Sequence, residues 1–231
     1  MVGYDMGYML IAGFFTVIGM FISGRLKAKF NKYSRVRLRV NRTGAEIAQM
    51  MLQHYGIHDV KIVQGKGMLT DHYNPVTKTV SLSPAVYQTA SVAAAAVAAH
   101  ECGHAVQHAT QYSMLQFRSR IVPLVQASSQ FQQIALIAAF LLLNQFPQIM
   151  LFTIVLFGIT ALFSLVTLPV EFDASRRALA WLDQTGITQG QEYDGAKDAL
   201  WWAAMTYVSA ALSALVMVLY LAMRYMAATR N

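Results

Sequence analysis

One cysteine, Cys102, stands alone in the 231 residues, so no disulfide can form within the chain and nothing argues for an oxidising compartment. Charge is scarce as well: Asp, Glu, Lys and Arg make up 13% of the chain against 56% hydrophobic residues. That balance excludes an ordinary soluble domain and gives a mainly α integral membrane protein as the base expectation. The scarcity is uneven. Residues 121 to 170 contain no Asp, Glu, Lys, Arg or His, which is room for two bilayer crossings at about 20 residues each. There is no internal repeat and no low-complexity segment beyond an alanine tract.

The charge that is present is mostly positive, with a net value of +7. Eight of the eighteen Lys and Arg residues lie between Arg25 and Arg42, directly after an apolar run. A basic cluster in that place orients a membrane protein and meets anionic lipid headgroups, here at residues 25 to 42. No aromatic-interleaved binding module accompanies it, so nucleic acid is not an expected partner.

Hydropathy divides the chain into five parts. Residues 1–24 hold a first transmembrane helix, "MGYMLIAGFFTVIGMFISG", whose basic residues follow the apolar run, unlike those of a cleaved signal peptide. Residues 25–120 read as a basic segment followed by a small folded α+β segment. Residues 121–170 form a transmembrane hairpin of two helices turned at "NQFPQ", the first of them weakened by Gln126, Gln130, Gln132 and Gln133. Residues 171–202 return as polar helices, and 203–231 supply a fourth span and a tail. The charge bias predicts an outside N-terminus, which places both polar segments on the cytoplasmic face. Arg224 and Arg230, in the tail, fall on the opposite side from that rule.

Within the folded segment, Thr43 and Glu46 have the spacing of a capping box for a helix that ends at Gly56. "DVKIVQ" (59–64) and "KTVSLS" (78–83) alternate like strands, and the turn-rich stretch between them predicts a small antiparallel sheet. Ser83 and Pro84 mark a helix start, and the run from Ser91 to Ala109 is a strong helix former. Pro169 predicts a break or kink ahead of a helix that stops at Gly186.

The run "AAHECGHAVQH" carries the chemistry. His100-Glu101-Cys102-Gly103-His104 is an HExxH sequence, and on a helix residues i and i+4 share a face. Two imidazoles so placed can hold one Zn2+, while Glu101 stands beside it as general base. His108 continues the face but lies about 12 Å along the axis from His100, too far for the same ion. Cys102, at i+2, points away as a packed thiol, and Gly103 permits close approach of another backbone. A zinc site of this kind needs a third protein ligand. Glu171, at a membrane boundary on the same predicted side, is the leading candidate and Asp173 the competitor; paired with Arg176 or Arg177, either could instead be a plain surface carboxylate.

With "TDHYNPVTKTVSLSPAVY" (70–87), "SVAAAAVAAHECGHAVQHA" (91–109) and "LPVEFDASRRAL" (168–179), the chain resembles the bacterial YugP-type neutral zinc metallopeptidases. The resemblance implies a zincin-like catalytic segment with His100, His104 and Glu171 as zinc ligands and Glu101 as base. It further implies hydrolysis of polypeptide substrates at the inner membrane of a bacterium. Related proteases place an aspartate four residues after the third ligand, where this chain has Ser175, with Asp173 nearby. In zincins an edge strand beside the active-site helix pairs with extended substrate, and "KTVSLS" is the expected counterpart. His72, Tyr193 and Arg177 are candidate donors to a transition-state oxyanion. Two other readings stand beside this one: an intramembrane protease of the site-2 type, and a non-proteolytic scaffold with a closed zinc site. Oligomeric state is not readable.

Overall fold

The computed structural model describes residues 5–230. The chain is mainly helical, with a small sheet, and has ten elements in the order α1 (Met6–Ser34), α2 (Gly44–His54), β1 (Lys61–Gln64), β2 (His72–Asn74), β3 (Thr79–Leu82), α3 (Pro84–Tyr87), α4 (Val92–Ala109), α5 (Ser113–Leu142), α6 (Pro147–Gln184) and α7 (Gln191–Thr229). Four of them, α1, α5, α6 and α7, are long and apolar enough to cross a membrane. The expected class, a mainly α membrane protein with a small α+β segment, holds.

The chain forms two compact units. The first is the described part of Met1–Phe21, Phe117–Leu168 and Thr206–Asn231. Its helices bury Leu136, Ala139, Leu143, Met150, Met217 and Leu221 among themselves and leave Leu10, Phe14, Val17, Ile134, Phe152 and Leu219 exposed. Apolar side chains turned outward along uncharged helices are what a lipid solvent requires, because the helix satisfies its own backbone groups. Gln132 also finds a partner inside the unit: its amide donates to the Thr160 hydroxyl at 2.5 Å and the Leu156 carbonyl at 2.9 Å. Such a bond ties one apolar helix to the next. At one end Asp5 accepts from the Tyr220 hydroxyl and pairs with Arg224 at 2.9 Å.

The second unit, Ile22–Gln116 with Pro169–Met205, carries the sheet. Its α2 begins with the expected capping box, in which Thr43 and Glu46 bond each other's backbone, and closes at Gly56 with φ +66°. α4 starts where Ser91 Oγ accepts from the Ala94 amide at 3.2 Å. Ala93, Ala94, Ala95, Ala96, Ala98 and Ala99 are all buried, so the alanine tract packs in the core as well as favouring helix. Phe30, Leu38, Ile47, Met51, Leu52, Val80, Leu82, Trp181 and Leu182 complete that core.

The sheet departs from expectation. "KTVSLS" supplies β3, which is the central strand, not an edge, in the order β1-β3-β2. β1 pairs with it in parallel, and β2 pairs antiparallel on its other side, with Tyr73 opposite Val80. The stretch read as connection holds a strand, and inserting β2 forces β1 and β3 to run the same way. With both edges of β3 occupied, extended substrate cannot pair with it. Two smaller differences accompany this one. Ser83 does not cap α3 with its side chain; its amide and hydroxyl meet the Asp71 carboxylate at 2.6 and 3.1 Å. And α6 runs through Pro169 as a single helix, so of the expected break or kink the break is excluded.

The basic segment is partly neutralised within this unit. Lys29 Nζ reaches Asp198 at 2.6 Å, where the Tyr33 hydroxyl also donates, and Arg42 pairs with Glu46 at 2.8 Å. Arg39 donates to the Gly186 carbonyl at 2.9 Å.

Candidate metal centre

The site lies where α4 crosses the second half of α6. Both helices are small-faced there. A Cβ on Gly103 would stand 2.6 Å from the Ala174 carbonyl oxygen, a distance no side chain tolerates. Glycine at 103 therefore brings the HExxH turn against the turn of α6 that carries Glu171.

The crossing joins His100, His104 and Glu171, whose ligating atoms all lie within 4.8 Å of one another. His100 Nε2 is 3.3 Å and His104 Nε2 3.5 Å from Glu171 Oε2. The two imidazoles stand nearly perpendicular, at 82° with centroids 4.8 Å apart. His104 and Glu171 are buried. Two donors bound at about 2.0–2.1 Å to a common tetrahedral ion sit about 3.3 Å apart. The two histidine–carboxylate spacings match that figure, and two imidazoles with one carboxylate form a donor set that catalytic zinc takes. Asp173 and His108 stand outside this group.

The far nitrogen of each ring is already occupied. His104 Nδ1 lies 3.0 Å from Gln107 Oε1, and His100 Nδ1 lies 3.1 Å from Ser175 Oγ. Gln107 is fully buried and donates to the Val170 carbonyl at 2.8 Å and to Asp173 Oδ2 at 2.9 Å. Asp173 in turn accepts from Arg177 Nε at 2.5 Å and from Arg176. Groups that hold a ligating histidine from behind set its orientation and basicity.

Electrostatics follow from burial and these partners. Burial alone works to raise the Glu171 carboxyl, but the His100 and His104 imidazoles facing it outweigh that and hold the group well below the ordinary carboxylate range. Burial likewise works against charge on His104, and Glu171 overrides it, so that imidazole is raised above its ordinary value. Asp173 is held low against the effect of its burial by Gln107, Arg177 and Arg176. Glu101 is different. Burial dominates and raises it, with His100 and His104 opposing.

The remaining predicted residues scatter. Cys102 is buried with its thiol 3.6 Å from the Ala48 carbonyl, and burial raises its pKa. His108 Nδ1 and the Tyr73 hydroxyl share a hydrogen bond, 2.7 Å apart. His72 is exposed on β2 and bonds the Thr70 carbonyl at 2.9 Å. Arg177, besides its bond to Asp173, lies over the Tyr112 ring at 5.8 Å. Tyr193 lines a groove of about 340 Å³ with Ser175, Leu179, Lys197 and Trp201. Sequence reasoning passed over Gln107, although its position three residues after His104 puts both on one helix face.

Against known proteins, the family model described as "Putative neutral zinc metallopeptidase" matches residues 8–226. The chain belongs to that family, whose cofactor is Zn2+. It is 41% identical over 191 residues to "Putative membrane protease YugP" of Bacillus subtilis (strain 168), covering 83% of this chain and 84% of that protein. No solved structure matches.

Proposed function

We propose that the chain is a membrane-bound zinc metalloendopeptidase that hydrolyses membrane-associated or unfolded polypeptides. His100, His104 and Glu171 would hold the zinc ion, and Glu101 is the general base. The observation that carries the reading is the convergence of His100 Nε2 and His104 Nε2 on Glu171 Oε2, at 3.3 and 3.5 Å, with a buried carboxyl, Glu101, next in sequence to one ligand. When bound, zinc supplies Lewis acidity that lowers the pKa of water to about 7.

Glu101 does the proton work. Its burial raises its affinity for a proton above that of an ordinary carboxylate. It takes a proton from the attacking water and delivers it to the amine that leaves when the peptide C–N bond breaks. Glu171 cannot share this role, because as a zinc ligand its carboxylate would be taken up by the ion.

The alternatives lack support. α4, which carries both histidines, is not among the four helices long and apolar enough to cross a membrane, which speaks against an intramembrane site. A closed structural site would need a fourth ligand from His108 or Asp173, and these are engaged with Tyr73 and with Gln107, Arg176 and Arg177. The orientation we favour puts the site on the cytoplasmic face of the inner membrane, with residues 25–42 near anionic headgroups.

The experiment is metal analysis joined to proteolysis. Protein purified in detergent is expected to carry about one zinc per chain, to cleave unfolded casein, to stop when zinc is chelated and to resume when zinc is returned. Cleavage that persists without metal overturns the reading.

A further inference from the structure

The amide of Gln107 can sit in only one way. Its nitrogen faces two groups that only accept hydrogen bonds, the Val170 carbonyl at 2.8 Å and the Asp173 carboxylate at 2.9 Å. Turning the amide over would set oxygen against oxygen at both. Asp173 is fixed as an acceptor by Arg176 and Arg177 on its two oxygens. The Gln107 oxygen is therefore the atom that faces His104 Nδ1 at 3.0 Å, and an amide oxygen can only accept. So Nδ1 must be the ring atom that carries hydrogen, which in the neutral ring leaves the lone pair on Nε2, the atom turned toward Glu171.

We infer that Gln107 is a positioning residue for the metal centre: it relays the Asp173 charge to His104 and locks that ring in the one tautomer able to ligate through Nε2. The inference rests on the metallopeptidase reading above. It gives the buried arrangement a purpose that packing alone does not. The relay runs from Arg176 and Arg177 through Asp173 and Gln107 to His104, and the same amide pins α4 to Val170, the residue before Glu171. Among the described residues His100 has no such relay; its Nδ1 meets only the hydroxyl of Ser175, which can donate or accept and so imposes no tautomer. The two histidines of the motif are thus held unequally, His104 by a one-way lock and His100 by an adaptable hydroxyl.

The test separates this role from simple packing by reading the tautomer beside the affinity. In Gln107→Leu the lock is gone. Nitrogen chemical shifts of His104 in metal-free protein, at a pH where the ring is neutral, report which ring atom carries the hydrogen, a signature that packing alone does not set. Zinc affinity is read by chelator competition on full-length protein in detergent, with helical content as the control for folding. Gln107→Leu is expected to weaken zinc binding about 10- to 100-fold, the usual effect of removing a group behind a ligating histidine, and to turn the single Nδ1-protonated form of His104 into a mixture of tautomers. Wild-type affinity in Gln107→Leu overturns the inference, as does a His104 tautomer that is the same in Gln107→Leu as in wild type. Wild-type protein that binds no zinc would instead overturn the metallopeptidase reading itself.

Discussion

Gly103 packs against Ala174 so closely that a methyl group on Gly103 would stand 2.6 Å from the Ala174 carbonyl oxygen. The contact is with backbone, which cannot swing aside as a side chain can. The distance between α4 and α6, and with it the distance from the histidines to Glu171, is set by the absence of one Cβ. Gly103→Ala should therefore separate the helices, costing about 1–3 kcal/mol of stability as overpacking does. Zinc affinity should fall with it, because Glu171 is drawn away from the two imidazoles. Thermal unfolding together with chelator competition checks both, and an alanine variant with unaltered zinc affinity would show that the helix spacing is not set here.

Ser175 is the sole group observed at His100 Nδ1. Ser175→Ala should lower zinc affinity, by less than Gln107→Leu because a hydroxyl holds the ring less firmly than the relay does. Ser175→Asp, which places a carboxylate where related proteases carry one, should match or exceed wild type. Competition titrations of the three proteins rank them directly.

The histidine–carboxylate pair makes opposite pH demands with and without metal. His104 is raised above its ordinary value of about 6.5 by Glu171. In the metal-free protein that pairing contributes stability that is fully present below about pH 6.5 and is lost as pH rises through the raised value. Zinc needs the neutral ring, so metal affinity should instead rise across the same window, and it should begin to fall on acidification at a higher pH than a free histidine would dictate. Denaturation of metal-free and zinc-loaded protein at several pH values should give slopes of opposite sign above pH 6.5; slopes of the same sign would deny the His104–Glu171 coupling.

Much of this arrangement was legible in the sequence because it rests on local rules. The four spans follow from charge-free runs, the capping box from Thr43 and Glu46, and the shared face of His100 and His104 from helical spacing. Glu171 was nominated by its place at a membrane boundary, and the structure brings it to both histidines. What stayed hidden depends on pairing across the chain. β2 was missed because three residues beside turn formers, His72–Asn74, give too short a period to read, and that omission alone made β3 an edge and β1 antiparallel. Pro169 was read as a break or kink, and α6 continues through it without a break. Gln107 was silent for a related reason: its role exists only where Val170 and Asp173 arrive from more than sixty positions away.

The general base gives the central claim its most direct test. Glu101→Gln keeps the shape of the side chain and removes its capacity to take a proton, while His100, His104 and Glu171 are untouched. The measurement is zinc content and casein cleavage on wild type and this variant, prepared side by side. The account predicts equal zinc in both and cleavage reduced about 10²- to 10⁴-fold in the variant, the span a positioned proton-transfer group commonly supplies. Cleavage by Glu101→Gln at the wild-type rate, with zinc bound, would contradict it.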